Sequence, residues 1–135
     1  MKTEKLYKLM DEGEITLDYF PLPENKAMCM QLGDRCFIAL DPKFWGTAAE
    51  RVCLAHELGH CKTGSFYNLH SPLDVRQKHE NRADKWAINL LIPEKELNKA
   101  IKHGFRDISS LAEYFNVTED FISKALKLYK QIEIN

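Results

Sequence analysis

Two histidines and one glutamate lie within one short segment of the chain, His56-Glu57-Leu58-Gly59-His60. If this segment is helical, His56 and His60 are one turn apart on the same face, so both imidazoles can bind a single metal ion. Glu57 lies beside that face, where its carboxylate can take a proton from an attacking water without occupying the metal. The segment therefore predicts half of a zinc site with a general base next to it.

The residues before the histidines indicate a buried helix. Residues 47–55 are mostly small or apolar, which argues against an exposed helix that happens to carry histidines. Gly59 costs about 1 kcal/mol in a helix interior relative to alanine. We therefore expect its missing side chain to permit close packing against another element.

A catalytic zinc ion needs a third protein ligand, which the histidine helix cannot supply. A long helical pattern over about residues 73–92 is the expected source. Glu80 and Asp84 lie one turn apart on it, so one can bind the metal while the other orients a histidine. The predicted core stripe next to them consists of Val75, Ala83, Trp86 and Leu90.

Other interpretations of these positions remain open at this point. Glu80 and Asp84 could instead be exposed partners of nearby lysines and arginines. His70 and His79 are rival third ligands, although histidines in such positions are more often surface or capping residues.

The 135-residue chain has ordinary globular composition, with 44% hydrophobic and 29% charged residues. Its net charge of −1 gives no bias towards polyanions. The first residues enter no apolar segment of signal-peptide length and no stretch approaches a membrane span, so we expect a cytoplasmic protein without membrane association. No Cys-x-x-Cys pair is present, and we expect reduced thiols at Cys29, Cys36, Cys53 and Cys61.

The hydrophobic pattern predicts an α+β fold in one domain, residues 1–135, because no repeat or linker divides the chain. Strands are predicted at 15–20, 27–32 and 35–40, the last two joined as a hairpin by a Gly-Asp turn. A small antiparallel sheet should therefore precede the histidine helix. Besides the two helices already described, helices are predicted at about 2–12, 94–102, 108–115 and 119–131.

A second motif makes a family resemblance specific. Residues 80–87, Glu-Asn-Arg-Ala-Asp-Lys-Trp-Ala, and residues 90–93, Leu-Leu-Ile-Pro, follow the histidine helix. They resemble the second signature of the ImmA/IrrE family of metallo-endopeptidases, a Glu-x-x-Ala-Asn/Asp-x-aromatic-Ala segment that ends in Leu-hydrophobic-Pro. The order and separation of the two motifs also match, and the resemblance covers about residues 15–95.

The resemblance implies a site as well as a family. Zn²⁺ would be bound by His56, His60 and Glu80, with Glu57 as the general base, which is the gluzincin arrangement. Asp84 stands where the family often has asparagine, and it would orient a histidine ligand without binding the metal itself.

The resemblance also implies a fold and a partner. The fold would be a compact zincin-like core, about residues 15–95, in which the small antiparallel sheet packs on two metal-bearing helices. A helical segment, about residues 96–135, would follow it. Family members typically occur in bacteria, phages and mobile elements beside a helix-turn-helix repressor of the Xre type, so the implied function is cleavage of a peptide bond in such a repressor.

Two finer expectations concern how a substrate would be held. Tyr67 or His70 could donate to the oxyanion formed during hydrolysis, although the segment around residue 67 could equally be a packed turn. By analogy with other zincins, the substrate could pair with the strand at 35–40 as an added strand.

The C-terminal third suggests a competing function. Residues 108–119 resemble a helix-turn-helix pattern, and three lysines at helical spacing could form a basic stripe: Lys124, Lys127 and Lys130. Residues 100–135 nevertheless have no net charge, whereas a DNA-binding surface needs a basic face. We therefore expect these helices to pack on the core or to dock a protein. The alternative to a peptidase is a zinc-stabilised, non-catalytic module that binds a repressor or, less favoured, DNA.

Overall fold

The computed structural model describes residues 1–24, 27–66 and 70–133. Within these ranges the predicted α+β fold is confirmed, and the helices and strands begin and end close to the predicted residues. The elements are α1 (Thr3–Glu12), β1 (Thr16–Tyr19), β2 (Ala27–Leu32), β3 (Arg35–Leu40), α2 (Ala48–Thr63), α3 (Leu73–Leu91), α4 (Glu94–Lys102), α5 (Ile108–Phe115) and α6 (Glu119–Glu133). A single 3₁₀ turn, Pro42–Phe44, leads from β3 towards α2.

The sheet has three strands in the order β1-β3-β2. The predicted hairpin of β2 and β3 is present and antiparallel, but β1 runs parallel to β3, so the prediction of an entirely antiparallel sheet is wrong. Pro21 and Pro23 follow β1 and have no backbone N–H, so they cannot continue the strand pairing into a hairpin with β2. The longer connection lets β3, the most buried strand, take the central position.

Helix α2 lies at the centre of the molecule, in contact with α1, α3, β2 and β3. Thr47 caps its first turn by accepting a hydrogen bond from the Glu50 N–H, and Gly64 ends it in the left-handed conformation at φ 65°. The C-terminal helices share the same hydrophobic cluster, to which they contribute Leu111, Phe121, Ile122 and Ala125. The structure thus agrees with the interpretation that these helices pack on the core.

Helices α2 and α3 approach each other closely at Gly59. A β-carbon on Gly59 would lie 2.7 Å from the carbonyl oxygen of Ala83, which confirms that the glycine is needed for packing. The buried side of α3 differs from the core stripe predicted from the sequence. Small residues let the backbones of α2 and α3 come close, and this contact determines which side of α3 is buried. The residues of α3 that are buried are Ala83, Ala87, Ile88 and Leu91. The stripe that carries Glu80 and Asp84 therefore turns towards α2.

One pair of cysteines differs from the prediction of reduced thiols. Cys36 on β3 and Cys61 in the last turn of α2 form a disulfide, with their Cα atoms 6.0 Å apart. The two residues are 25 positions apart in sequence, so only the packing of α2 on the sheet brings them together. Cys29 and Cys53 form no disulfide with another described residue. Among the described residues, no helix is long and apolar enough to cross a membrane.

Candidate metal centre

Three side chains from α2 and α3 converge where the sequence predicts a metal site. His56, His60 and Glu80 each offer one ligand atom, and these atoms all lie within 4.8 Å of one another. The Nε2 atoms of His56 and His60 lie 2.8 Å and 3.0 Å from the two carboxylate oxygens of Glu80, and 3.2 Å from each other. Two imidazoles and a carboxylate thus point at one small volume.

The other ring nitrogen of each histidine is held by a second partner. Nδ1 of His56 lies 2.7 Å from Oδ1 of Asp84, and Nδ1 of His60 lies 2.5 Å from the carbonyl oxygen of Ser65. If each Nδ1–H donates to its oxygen, each Nε2 keeps its lone pair for a cation. The left-handed turn at Gly64 brings the Ser65 carbonyl back under the helix.

Asp84 therefore takes the position expected of it. It is half-buried, it is bound to His56, and its second oxygen accepts a hydrogen bond from Lys124 on α6. The interpretation of Asp84 as an exposed partner of neighbouring lysines and arginines on its own helix is wrong. Among the described residues, the lysine that Asp84 contacts lies on α6, which packs against α3.

The charges around the two imidazoles favour a cation between them. Burial alone would lower the pKa of His56, but its hydrogen bonds to Asp84 and Glu80 raise that pKa to about 10. Burial likewise opposes protonation of His60, yet the Glu80 carboxylate and the Ser65 carbonyl raise its pKa. The site thus favours positive charge, and two imidazoles with one carboxylate are a donor set that suits zinc and leaves a position open.

Glu57 lies beside this cluster and has a different environment. Its side chain is buried, and burial raises the pKa of the carboxyl although both histidines oppose that shift. Cys29 on β2 lines the same cavity as Glu57, and burial together with the nearby Glu57 carboxylate raises the pKa of the Cys29 thiol. Sequence reasoning missed Cys29, because nothing local to β2 signals that its side chain meets α2.

Two cavities meet at the cluster and share His56, Glu57 and Glu80 in their linings. One has a volume of about 560 Å³ and extends between α2, α3 and the N-terminal part of α6. The other has a volume of about 360 Å³ and lies between α2, β2 and residues 65–66. A peptide crossing the cluster would have room on both sides of it.

Of the other residues considered from the sequence, two do not join the cluster and one lies outside the described part of the chain. Tyr67 falls in the segment 67–69, which the structure does not describe. His70 is exposed in the turn before α3 and does not line either cavity, and His79 is half-buried on α3 and is not among the three converging ligands. The described residues therefore do not identify the donor expected to stabilise the oxyanion.

The prediction that a substrate pairs with the strand at 35–40 is wrong. β3 is flanked on both sides, by β1 and by β2, so no peptide can pair with its edge. β2 is an edge strand of the sheet, and Ala27, Met28 and Cys29 from it line the smaller cavity. The strand beside the candidate site is thus β2.

Comparison with known families agrees with the geometry. The family model of the IrrE N-terminal-like domain, a peptidase family, matches residues 14–127. The chain therefore belongs to this peptidase family, as the two sequence motifs implied. No curated protein and no solved structure shows significant similarity to the chain. The matched region continues past residue 95 through α4, α5 and the first half of α6.

Proposed function

We propose that this protein is a zinc-dependent endopeptidase. The observation that carries the proposal is the convergence of His56, His60 and Glu80 beside the buried carboxyl of Glu57, in a member of a peptidase family. When bound at this site, a zinc ion would polarise the scissile carbonyl and activate water at neutral pH.

The side chains of the chain would divide the remaining work. Glu57 takes a proton from the attacking water as the water oxygen bonds to the carbonyl carbon, and returns it to the leaving nitrogen as the C–N bond breaks. Its raised pKa suits it to both steps, because the carboxyl can hold the proton between them. Asp84 and the Ser65 carbonyl keep the two imidazoles oriented throughout.

A substrate would bind as an extended peptide along β2. The edge of this strand offers backbone groups to an added strand, and it borders the smaller cavity. The peptide would run past Glu57 into the larger cavity, where α6 forms one wall. This route supports cleavage within a chain, since both cavities leave room for residues on either side of the bond.

The substrate that we propose is a helix-turn-helix repressor of the Xre type, encoded by a phage or mobile element. The support for this proposal is the family resemblance alone. Such a repressor lies in the cytoplasm, so the peptidase would act there, and neither a membrane nor nucleic acid would be its partner. The competing function, a zinc-stabilised module that binds a repressor without cutting it, uses the same metal site and differs only in the role of Glu57.

The experiment that separates the two functions is incubation of a neighbouring repressor with zinc-loaded protein, followed by intact-mass analysis. Wild-type protein should produce new fragments, and Glu57→Gln should bind zinc equally but produce none. Glu113→Gln, an exposed change on α5 with the same loss of charge, is the matched control and should cut like wild type. A repressor that co-purifies with wild-type protein and stays intact would reject the peptidase in favour of the binding module.

A further inference from the structure

Helix α6 contributes a charged side chain to the surroundings of the metal centre. Nζ of Lys124 donates to Oδ2 of Asp84 at 3.3 Å, while Oδ1 of the same carboxylate meets Nδ1 of His56 at 2.7 Å. A continuous series of polar contacts therefore runs from α6 through α3 to α2. The sequence pattern predicted no role for Lys124 beyond an exposed basic stripe.

The backbone that carries Lys124 is held in place by packing. Phe121, Ile122 and Ala125, its neighbours on α6, are at most 2% exposed and belong to the main hydrophobic cluster. Lys124 itself lines the larger cavity together with His56 and Asp84. The lysine thus approaches the site from a fixed helix rather than from a loop.

The contact matters because of what else Asp84 does. An isolated exposed ion pair contributes little to stability, and the Lys124 side chain is 57% exposed. Here, however, the anion also orients an imidazole that must present its other nitrogen to a metal. With both oxygens bonded, the carboxylate cannot rotate away from His56 without breaking the contact with Lys124.

We infer that Lys124 is a positioning residue of the metal centre, which fixes Asp84 in the orientation that directs Nε2 of His56 at the metal. The inference rests on the proposed metal site. It also makes the C-terminal helices part of that site rather than a separate DNA-binding or docking module.

The test is a double-mutant cycle on zinc affinity, measured by competition with a chromogenic chelator. Asp84→Asn should weaken zinc binding about 10-fold to 100-fold. Lys124→Met should weaken zinc binding about threefold to tenfold. Lys124→Arg keeps the positive charge, so it should retain most of the wild-type affinity. In the Asp84→Asn background, Lys124→Met should have no further effect, because its only route to the metal is then removed.

Lys127→Met is the matched control, since it removes an exposed lysine of the same helix that does not line the cavity. It should bind zinc like wild type, and the unfolding midpoint of each metal-free variant will separate lost positioning from lost stability. Equal effects of Lys124→Met in both backgrounds, or an effect no larger than that of Lys127→Met, would overturn the inference and leave the proposed function intact. Failure of the wild-type protein to bind zinc at all would instead overturn the proposed function, and the inference with it.

Discussion

Helices α2 and α6 both pack on the hydrophobic core, but they bury different kinds of side chain. Over residues 119–130, the part of α6 whose side chains the structure describes, the buried residues are Phe121, Ile122, Ala125 and Tyr129. Helix α2 also buries four polar or charged residues, namely Glu50, Arg51, Glu57 and His60. Because an unpaired buried charge costs several kcal/mol, each of these four must have partners or a function.

The four buried polar residues of α2 fall into two pairs. Glu50 accepts hydrogen bonds from the Tyr7 hydroxyl and the Gly46 N–H, and Arg51 donates to the carbonyl oxygen of Asn116. Protein groups from elsewhere in the fold thus satisfy this first pair. Glu57 and His60 instead face the cavities at the candidate metal site. Buried charges that gather around the three converging ligand atoms, rather than buried charges in general, are therefore the candidates for function in this molecule.

The buried charges of α2 at the site would have no metal-binding role to explain them if Glu80 were dispensable for metal binding. Glu80→Ala removes one of the three converging ligands, so zinc affinity should fall by at least about 100-fold, more than for a residue that only supports a ligand. Chelator competition measures the change. Glu113→Ala on α5 removes an exposed carboxylate and should leave the affinity unchanged. Equal affinities for the two variants would contradict the assignment of Glu80.

The close approach of α2 and α3 gives a second prediction. Gly59→Ala places a methyl group 2.7 Å from the Ala83 carbonyl oxygen, so the helices must move apart. The free energy of unfolding should fall by about 1–3 kcal/mol, although alanine is the better helix former. Urea denaturation of the metal-free protein measures it.

Gly13→Ala is the control for that experiment. The added methyl group meets the mobile end of Lys62 at 2.9 Å, which can move aside. Its destabilisation should therefore be smaller. If both variants were equally stable, the contact between α2 and α3 would not be as tight as described.

Zinc binding should depend on pH, because zinc must displace a proton from His56. The Asp84 and Glu80 hydrogen bonds raise the pKa of His56 to about 10, so the metal-free imidazole is protonated at neutral pH. Apparent zinc affinity should therefore rise with pH, by about tenfold per unit for each proton displaced. Titrations at about pH 6, 7 and 8 measure this slope. A slope of zero would contradict the described environment of His56.

The smallest predicted effect concerns the C-terminal region and sharpens the contrast with α2. Asn116 ends α5 in the left-handed conformation at φ 56°. Asn116→Ala should destabilise the protein by about 1 kcal/mol, because asparagine adopts the left-handed conformation more readily than alanine does, whereas Asn116→Gly should be nearly neutral since glycine has no β-carbon. Neither change should alter zinc affinity. Thermal unfolding of the pair measures the difference, and equal losses for alanine and glycine would argue against backbone strain.

The sequence predicts the local parts of this molecule well. Hydrophobic periodicity and turn residues predict the hairpin of β2 and β3 and the bounds of α3, because neighbouring residues determine them. The spacing of His56 and His60 predicts for the same reason that their imidazoles lie together, whereas the assignment of Glu80 as the third ligand comes from the family resemblance. The roles of these residues in binding zinc and in catalysis stay predictions.

Contacts between distant elements are what the sequence could not predict. The parallel pairing of β1 with β3, the disulfide of Cys36 with Cys61, and the contact of Lys124 with Asp84 each join elements far apart along the chain. No local pattern encodes such pairings, since they follow from how the elements pack.

Zinc binding by His56, His60 and Glu80 is tested most directly by X-ray diffraction from crystals of the zinc-loaded protein, recorded at the zinc absorption edge. One anomalous peak should lie about 2.0–2.2 Å from Nε2 of His56, Nε2 of His60 and a carboxylate oxygen of Glu80, with the open side facing Glu57. A zinc-loaded crystal with no peak at this cluster, or with a peak that has Glu57 as a ligand, would contradict it.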